Sequence, residues 1–293
     1  MNKYLIFRTD RIGDFLVSAI LINNIKINDP KSHVIVISSS KNTSYIKSFD
    51  YVDEVIELKN NIYDKIKLII KLFKYNFKSI IIHDNKKRSK FVTFFLKSDI
   101  KILIKENMNK VSHIDEIKYI IEKLNFDFFS NSLNVLDQKS KNCKKENTIQ
   151  FHFDEKWIHN SYIKNYKSIE PNDEQIINFL NNLIEKKKMK LIVTTGLKLP
   201  ILLSNLRSKI ESMNIEIYEK MNFQELEKIT LSSNILISCH GAISHVAAAN
   251  NIKQIDIIDK SYNYSRWTKH FRNYNCIYRD NFTNLSKKIL QLI

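Results

Sequence analysis

The sequence predicts an α/β chain built from two doubly wound halves that face a central cleft. Three observations carry that expectation. Short apolar runs alternate with longer amphipathic ones along the whole chain, the pattern of strand–helix units whose parallel sheets are covered on both faces. The length of 293 residues suits two domains better than one. The polar, lysine-rich stretch 136–148 has no periodicity and separates the alternation into two parts. The domains are therefore expected at 1–140 and 147–293.

In the first half, the apolar runs 4–7, 33–37, 54–58, 79–83 and 101–104 read as strands. Between and after them, segments 15–27, 43–49, 63–73, 90–96 and 115–124 read as helices. In the second half, strands are expected at 148–151, 191–194, 215–218, 235–238 and 254–258. Helices are expected at 174–186, 202–212, 223–231, 244–250 and 285–293. In such folds ligands bind outside the carboxyl ends of the strands, so the loops after the strands should line the cleft.

Glycine and proline number 3 each, which excludes collagen-like, linker-like and turn-rich classes. With so few, Gly13, Gly196 and Gly241 each mark a place where a side chain is not tolerated, and all three fall in loops expected to line the cleft. Lys and Arg total 47 against 31 Asp and Glu, a net +16. Much of this follows from a bias toward Lys, Ile and Asn. Residues 1–150 carry 27 basic and 17 acidic side chains, so the charge is spread rather than gathered in a tail. That spread, with no recognised module, argues against nucleic acid as the partner. An anionic membrane surface or an acidic substrate fits the charge as well. Cys143, Cys239 and Cys276 have no zinc spacing and imply no disulfide framework, which suits a reducing cytoplasm. The first residues do not read as a signal peptide, and no run is long and apolar enough to span a bilayer.

Four segments could carry chemistry. Arg8 to Asp14 (RTDRIGD) lies between the first strand and the first helix. Gly13 there allows a tight turn or a close approach, and Asp14 either caps the helix or serves a ligand. Its place at the carboxyl end of the first strand favours the ligand. Ser238 to Ala249 (SCHGAISHVAAA) ends a strand and opens a helix. Gly241 and Ala242 can offer backbone N–H groups to a phosphate there, with His245 on the first turn. His152 to Trp157 (HFDEKW) follows the first strand of the second half. Lys156 there is either a solvent-exposed lysine beside a core tryptophan or a cation that reaches a phosphate. The run Lys86-Lys87-Arg88-Ser89-Lys90 is either a solvated face or a clamp for an anionic acceptor.

Together these segments resemble the ADP-heptose:lipopolysaccharide heptosyltransferases, glycosyltransferase family nine. The R-x-D-x-x-G-D opening is complete from Arg8 to Asp14. The donor-side D-x-G-x-x-H-x-A-A-A motif aligns with His240, Ala242, His245 and Ala247 to Ala249. Lys156-Trp157 matches a K-W element, and the stretch from Met221 to Leu226 is similar to M-S-L-x-E-L. The resemblance spans nearly the whole chain. Three departures stand out. His240 replaces an aspartate, Gly241 sits one place early with Ala242 where glycine is usual, and no acidic residue follows Gly196. Segment 158–173 also looks longer than the family's loop.

The resemblance implies a GT-B architecture of two Rossmann-like domains, the first binding the acceptor and the second the nucleotide sugar. It implies an inverting transfer of a heptose or related sugar from ADP to a lipopolysaccharide-core or other surface-glycan acceptor. Asp14 is then the general base, and Lys156 stabilises the leaving diphosphate. Met221, His152, Gly196, His240, Gly241, Ala242, Ser244 and His245 are on the donor side. Arg11, Gly13, Lys86, Lys87 and Arg88 are on the acceptor side. No metal or other cofactor is expected, because no D-x-D pair is present. The implied setting is the cytoplasm, with peripheral attachment to the inner face of the inner membrane. The alternative is a GT-B protein that has lost catalysis and holds a glycan or nucleotide.

Overall fold

The computed structural model describes residues 1–104, 111–158 and 168–293. Most of the segment 158–173 therefore lies outside the described residues. The chain forms two units. The first comprises Met1–Val135 with Ser265–His270, and the second Leu136–Tyr264 with Phe271–Ile293. The change of unit falls at the head of the stretch read as a linker. That stretch carries a short helix, α6 (Asp137–Lys141), and belongs to the second unit.

The first unit holds a five-stranded parallel sheet in the order β3-β2-β1-β4-β5. Its strands are β1 (Lys3–Phe7), β2 (His33–Ser38), β3 (Glu54–Glu57), β4 (Asn76–Ile82) and β5 (Lys97–Leu103). The helices are α1 (Ile12–Asn28), α2 (Thr43–Ile46), α3 (Ile62–Phe73), α4 (Lys87–Phe94) and α5 (His113–Lys123). β1 and β2 are buried nearly throughout, which explains their unbroken apolar runs. Leu68 and Leu72 of α3 and Val92 of α4 pack on Leu5, Phe7, Ile35 and Ile80 of the sheet.

The second unit holds six parallel strands in the order β11-β10-β9-β6-β7-β8. They are β6 (Thr148–His152), β7 (Lys190–Thr194), β8 (Glu216–Tyr218), β9 (Ile235–Cys239), β10 (Lys253–Ile258) and β11 (Tyr274–Tyr278). Renumbered within the unit, this is the 3-2-1-4-5-6 order of dinucleotide-binding folds. This unit's further helices are α7 (Asp173–Lys187), α8 (Ile201–Asn205), α9 (Arg207–Ser212), α10 (Phe223–Ser232), α11 (Ala242–Ala249) and, after α12 (Ser265–Thr268) of the first unit, α13 (Phe282–Leu292). Trp157 is fully buried, stacked on Phe153 at 5.2 Å, and donates its indole N–H to the His152 carbonyl at 3.0 Å. It anchors the loop after β6, and truncating such a side chain costs about 3–5 kcal/mol.

Several elements differ from expectation. α1 starts at Ile12, so Gly13 lies inside its first turn rather than in a loop before it, while Asp14 falls in that turn, in keeping with its reading as a helix cap. No glycine has a positive φ, so Gly13 makes no left-handed turn. α4 starts at Lys87, which places most of the basic run on a helix. The helix expected over 202–212 breaks at Leu206 into α8 and α9. β11 was not expected, because this edge strand (YNCIY) is mostly solvated and carries no apolar run.

Candidate functional site

In the first unit the chain leaves β1 toward one side of the sheet and β4 toward the other. The loops after these neighbouring strands diverge and open a crevice at their carboxyl ends. A polar network fills its floor. Thr9 Oγ1 and Ser89 Oγ donate to Asp84 Oδ2 at 2.5 and 2.8 Å. Lys86 Nζ and Arg88 donate to the Thr9 carbonyl at 3.2 and 3.1 Å. Asp10 pairs with Lys86 and, at 3.2 Å, with Arg8.

Deeper, Arg8 Nε donates to Ser18 Oγ at 2.5 Å, and Ser18 lies 2.7 Å from Nδ1 of buried His83. Arginine only donates, so Ser18 Oγ accepts from Arg8, and its own hydroxyl lies between His83 Nδ1 and the Asp14 carbonyl at 3.5 Å. Burial, then the Arg8 charge, then His113, hold the His83 pKa well below its ordinary value. The ring is therefore neutral.

Above this floor is a cavity of about 910 Å³. Its walls carry six cations, Arg11, Lys41, Lys59, Lys86, Lys87 and Arg88. Three carboxylates, Asp10, Asp14 and Glu57, face them. The balance is positive and suits an anionic ligand. Asp14 plays both parts left open by the sequence. Its Oδ2 accepts the Arg11 backbone N–H at 3.2 Å as a helix cap, and it lines the cavity. Gly13 is not part of the wall.

In the second unit the equivalent crevice lies between β6 and β9. Lys156 is not a solvated lysine. Its side chain is 12% exposed and its Nζ lies 2.5 Å from Oδ2 of buried Asp154. Burial alone raises the Asp154 pKa. The Lys156 charge and the hydrogen bond from His152 outweigh it and hold the carboxyl well below its usual range. Burial likewise pulls Lys156 down, and Asp154 more than reverses this, so the ammonium stays charged. Both ring nitrogens of His152 face protein partners, Thr194 Oγ1 at 3.0 Å and Asp154 at 3.5 Å. His152 therefore orients Asp154 from below.

Gly241 is the N-cap of α11. A Cβ there would come within 2.6 Å of Lys156 Nζ. The ammonium thus lies against a helix N-terminus, where positive charge is unfavourable unless an anion is present. Asp154 offsets one charge, and the site remains suited to a phosphate. Gly241 N–H donates to Ser244 Oγ at 3.2 Å, and the fully buried Ser244 hydroxyl donates to Asp256 Oδ1 at 2.9 Å. Ser244 therefore shapes the turn. The Ala242 and Ile243 amides, first in the helix, have no intrahelical acceptor and are the donors left for an anion.

His240 Nδ1 lies 2.5 Å from Asp256 Oδ2, and its ring sits 5.7 Å from that of buried His245. Gly196, after β7, leaves room for the Glu155 carboxylate, which a Cβ would meet at 2.5 Å. A carboxylate from a different loop thus stands beside the glycine that lacks an acidic follower. Half-buried Met221 precedes α10, whose cap is Asn222. Asn222 accepts from Glu225 N at 3.0 Å and the Glu225 carboxylate returns the contact at 2.8 Å, so those two motif residues are a helix cap.

Asp154, Asp256 and Arg279 were not singled out in the sequence. Arg279 is buried and donates to the Lys156 carbonyl at 2.6 Å, which fixes the loop that carries the lysine. Asp256 had a visible signal, a carboxylate inside the apolar run QIDII.

No family model and no curated protein matches the sequence. Solved structures do match. Escherichia coli heptosyltransferase WaaC with ADP superposes with a TM-score of 0.74 at 11% identity, covering 99% of this chain and 100% of that one. Escherichia coli ADP-heptose lps heptosyltransferase II gives 0.66 at 13%, covering 100% and 97%. A UDP-GlcNAc 2-epimerase from Methanocaldococcus jannaschii gives 0.59 at 10%, covering 100% and 92%. At such identities the likeness speaks for architecture. The chain has the GT-B fold, two Rossmann-like α/β units with parallel sheets.

Proposed function

We propose that the chain is an inverting glycosyltransferase. It moves a heptose or related sugar from a nucleotide, ADP by resemblance, to an anionic acceptor such as a lipopolysaccharide core or another surface glycan. The observation that carries this reading is the seat of the Lys156 ammonium against the α11 N-terminus, a site for a diphosphate. The acceptor hydroxyl oxygen attacks the anomeric carbon and its proton passes to Asp14. The bond from that carbon to the phosphate oxygen breaks, and its electron pair leaves with the nucleoside diphosphate. Lys156 and the Ala242 and Ile243 amides meet the growing charge without a metal. The six cations of the first unit's cavity hold the acceptor's acidic groups. The enzyme works in the cytoplasm at the inner face of the inner membrane.

The fold also carries an epimerase, so fold alone does not choose the reaction. A second reading is a binding protein without turnover, favoured by His240 in place of the family's aspartate. A thermal-shift screen of ADP- and UDP-sugars tests donor binding, since a ligand of the native state raises the melting point with dose. Product analysis then separates the readings. Transfer to an acceptor is expected. Epimerised sugar without acceptor, or binding with no product, would overturn the transferase reading.

A further inference from the structure

Single exposed apolar side chains are ordinary, but a cluster of them is not. Among the described residues, fifteen large apolar side chains are exposed, and nine of them lie on α3, on α4 with its C-cap, and on the neighbouring β5. On α3 these are Ile62, Tyr63, Ile66, Ile70 and Phe73. At 3.6 residues per turn they fall within about 100° of the helix circumference. They stand clear of Leu68 and Leu72, which face the sheet. α3 therefore has a second apolar face, turned to solvent, with Ile70 69% exposed.

α4 lies beside α3 and continues that face. Phe91, Phe94 and Phe95 form an exposed aromatic group with ring centroids 5.2–5.5 Å apart, and Phe94 is 80% exposed. Lys97 Nζ, 6.0 Å from the Phe73 ring, bridges the end of α3 to the turn after α4. Phe94 and Leu103 then wall an apolar cavity of about 220 Å³ at the β5 edge.

The charge around this face is mostly basic, although Lys71 is paired with Glu54 at 2.7 Å. α3 carries Lys65, Lys67 and Lys71 against Asp64 alone, and α4 carries Lys87, Arg88 and Lys90 with no acid. Lys67 lies over the Tyr63 ring at 4.4 Å, with its stem along the apolar surface and its charge at the rim. Apolar and aromatic groups ringed by lysines suit an anionic lipid surface. A second copy of the chain suits it less, because a two-fold pairing would set each lysine rim against its own image.

We infer that the outer face of α3 and α4 docks on an anionic phospholipid bilayer. The amino ends of both helices adjoin the first unit's cavity, through Lys59 and Asn60 before α3 and Lys86 to Arg88 at α4. Docking thus brings that cavity to the lipid headgroups, where a lipid-anchored anionic acceptor is presented. Only this last step rests on the glycosyl-transfer reading.

The test is co-sedimentation of the full chain with vesicles of phosphatidylcholine alone or of equal parts phosphatidylcholine and phosphatidylglycerol. Binding is expected to the anionic vesicles and little to the neutral ones. The triple variant Ile66→Ser, Ile70→Ser, Phe94→Ser should bind roughly tenfold less, because the lost apolar area cannot enter the interface. Its melting point and its response to nucleotide sugars should match the parent, since all three positions are exposed. Equal binding by parent and variant, or none by the parent, would overturn the docking face. A dimer in sedimentation velocity that the variant abolishes would assign the face to a second copy instead. Transfer to a soluble acceptor is measured in parallel. Docking without transfer sinks the catalytic reading alone, and transfer without docking sinks this one alone.

Discussion

The Asp256 carboxylate holds Nδ1 of His240 at 2.5 Å from a fully buried position on β10. It also accepts from Ser244 and Tyr274, at 2.9 and 3.3 Å. With Nδ1 turned to Asp256, the other ring nitrogen, Nε2, is left to a ligand. A carboxylate thus stands one step behind the imidazole of His240. Asp256→Asn replaces an acceptor oxygen with a donor and disturbs this order. Affinity for the nucleotide sugar should fall roughly 10–100-fold, the worth of a charged hydrogen bond. Stability should fall by about 1–3 kcal/mol. Calorimetric titration and thermal melts check both. Unchanged affinity would remove His240 from the donor side.

Gly241 and Gly196 invite a paired test. Each Cβ would meet the end of a flexible side chain, Lys156 Nζ at 2.6 Å and Glu155 Oε2 at 2.5 Å. Both are partly buried, but the Lys156 ammonium is committed to Asp154 at 2.5 Å. Gly241→Ala should displace the ammonium and weaken donor binding at least tenfold. Gly196→Ala should do much less, because Glu155 can swing aside. Neither position has a left-handed φ, so the comparison isolates crowding from backbone strain. Equal effects in binding titrations would mean that Lys156 is not the feature that Gly241 protects.

Lys156→Met should cost about 3–5 kcal/mol of stability, because it leaves the Asp154 carboxylate buried and unpaired. The double variant Asp154→Asn, Lys156→Met should recover most of that loss and none of the activity. Denaturant melts and turnover separate the two roles. Recovery of turnover in the double variant would reduce Lys156 to a structural cation.

How much of this was visible beforehand depends on what a residue's neighbours reveal. The runs of β2 and β9 could be recognised because those strands are buried on both faces and carry no polar break in their apolar cores, VIVI and ILI. β11 could not, because an edge strand is half solvated. Gly241 and Lys156 were each marked by their own segment, but not as a contact, since 85 positions separate Lys156 from Gly241 and only the sheet order joins them. Asp154, Asp256 and Arg279 escaped because their value lies in their partners, which are tertiary. The α3 stripe shows the converse. Its apolar period predicted a helix, but a period cannot say which of two apolar faces stays uncovered.

Asp14 serves a cap and a cavity, so its variant must separate them. Asp14→Asn keeps an oxygen for the Arg11 N–H and gives up the charge at the helix start, about 0.3–1 kcal/mol. Turnover should fall 10²–10⁴-fold, the usual worth of a general base. Donor binding, which the proposed function assigns to the second unit, should not change. Single-turnover kinetics beside a nucleotide-sugar titration check this. Turnover at the parent's level would assign the proton to another group.

Acid should weaken the first unit before the second. Burial, with the His113 charge adding, lowers the His270 pKa from 6.5 to about 4, and His83 also lies well below its ordinary value. Both belong to the first unit. Between these pH values the unfolded chain binds protons that the folded unit does not, so stability is full above 6.5 and is lost as pH falls toward 4. His270 alone accounts for about 3 kcal/mol across that window. In the second unit Asp154 is lowered from 3.8, so its pairing with Lys156 holds throughout the window and is lost only at lower pH. Hydrogen exchange followed from neutral pH downward should show first-unit core amides losing protection while those of β6 and β9 keep theirs. His270→Gln should flatten the first unit's pH dependence, because the amide does not titrate. An unchanged slope in that variant would show that His270 is not the group that charges.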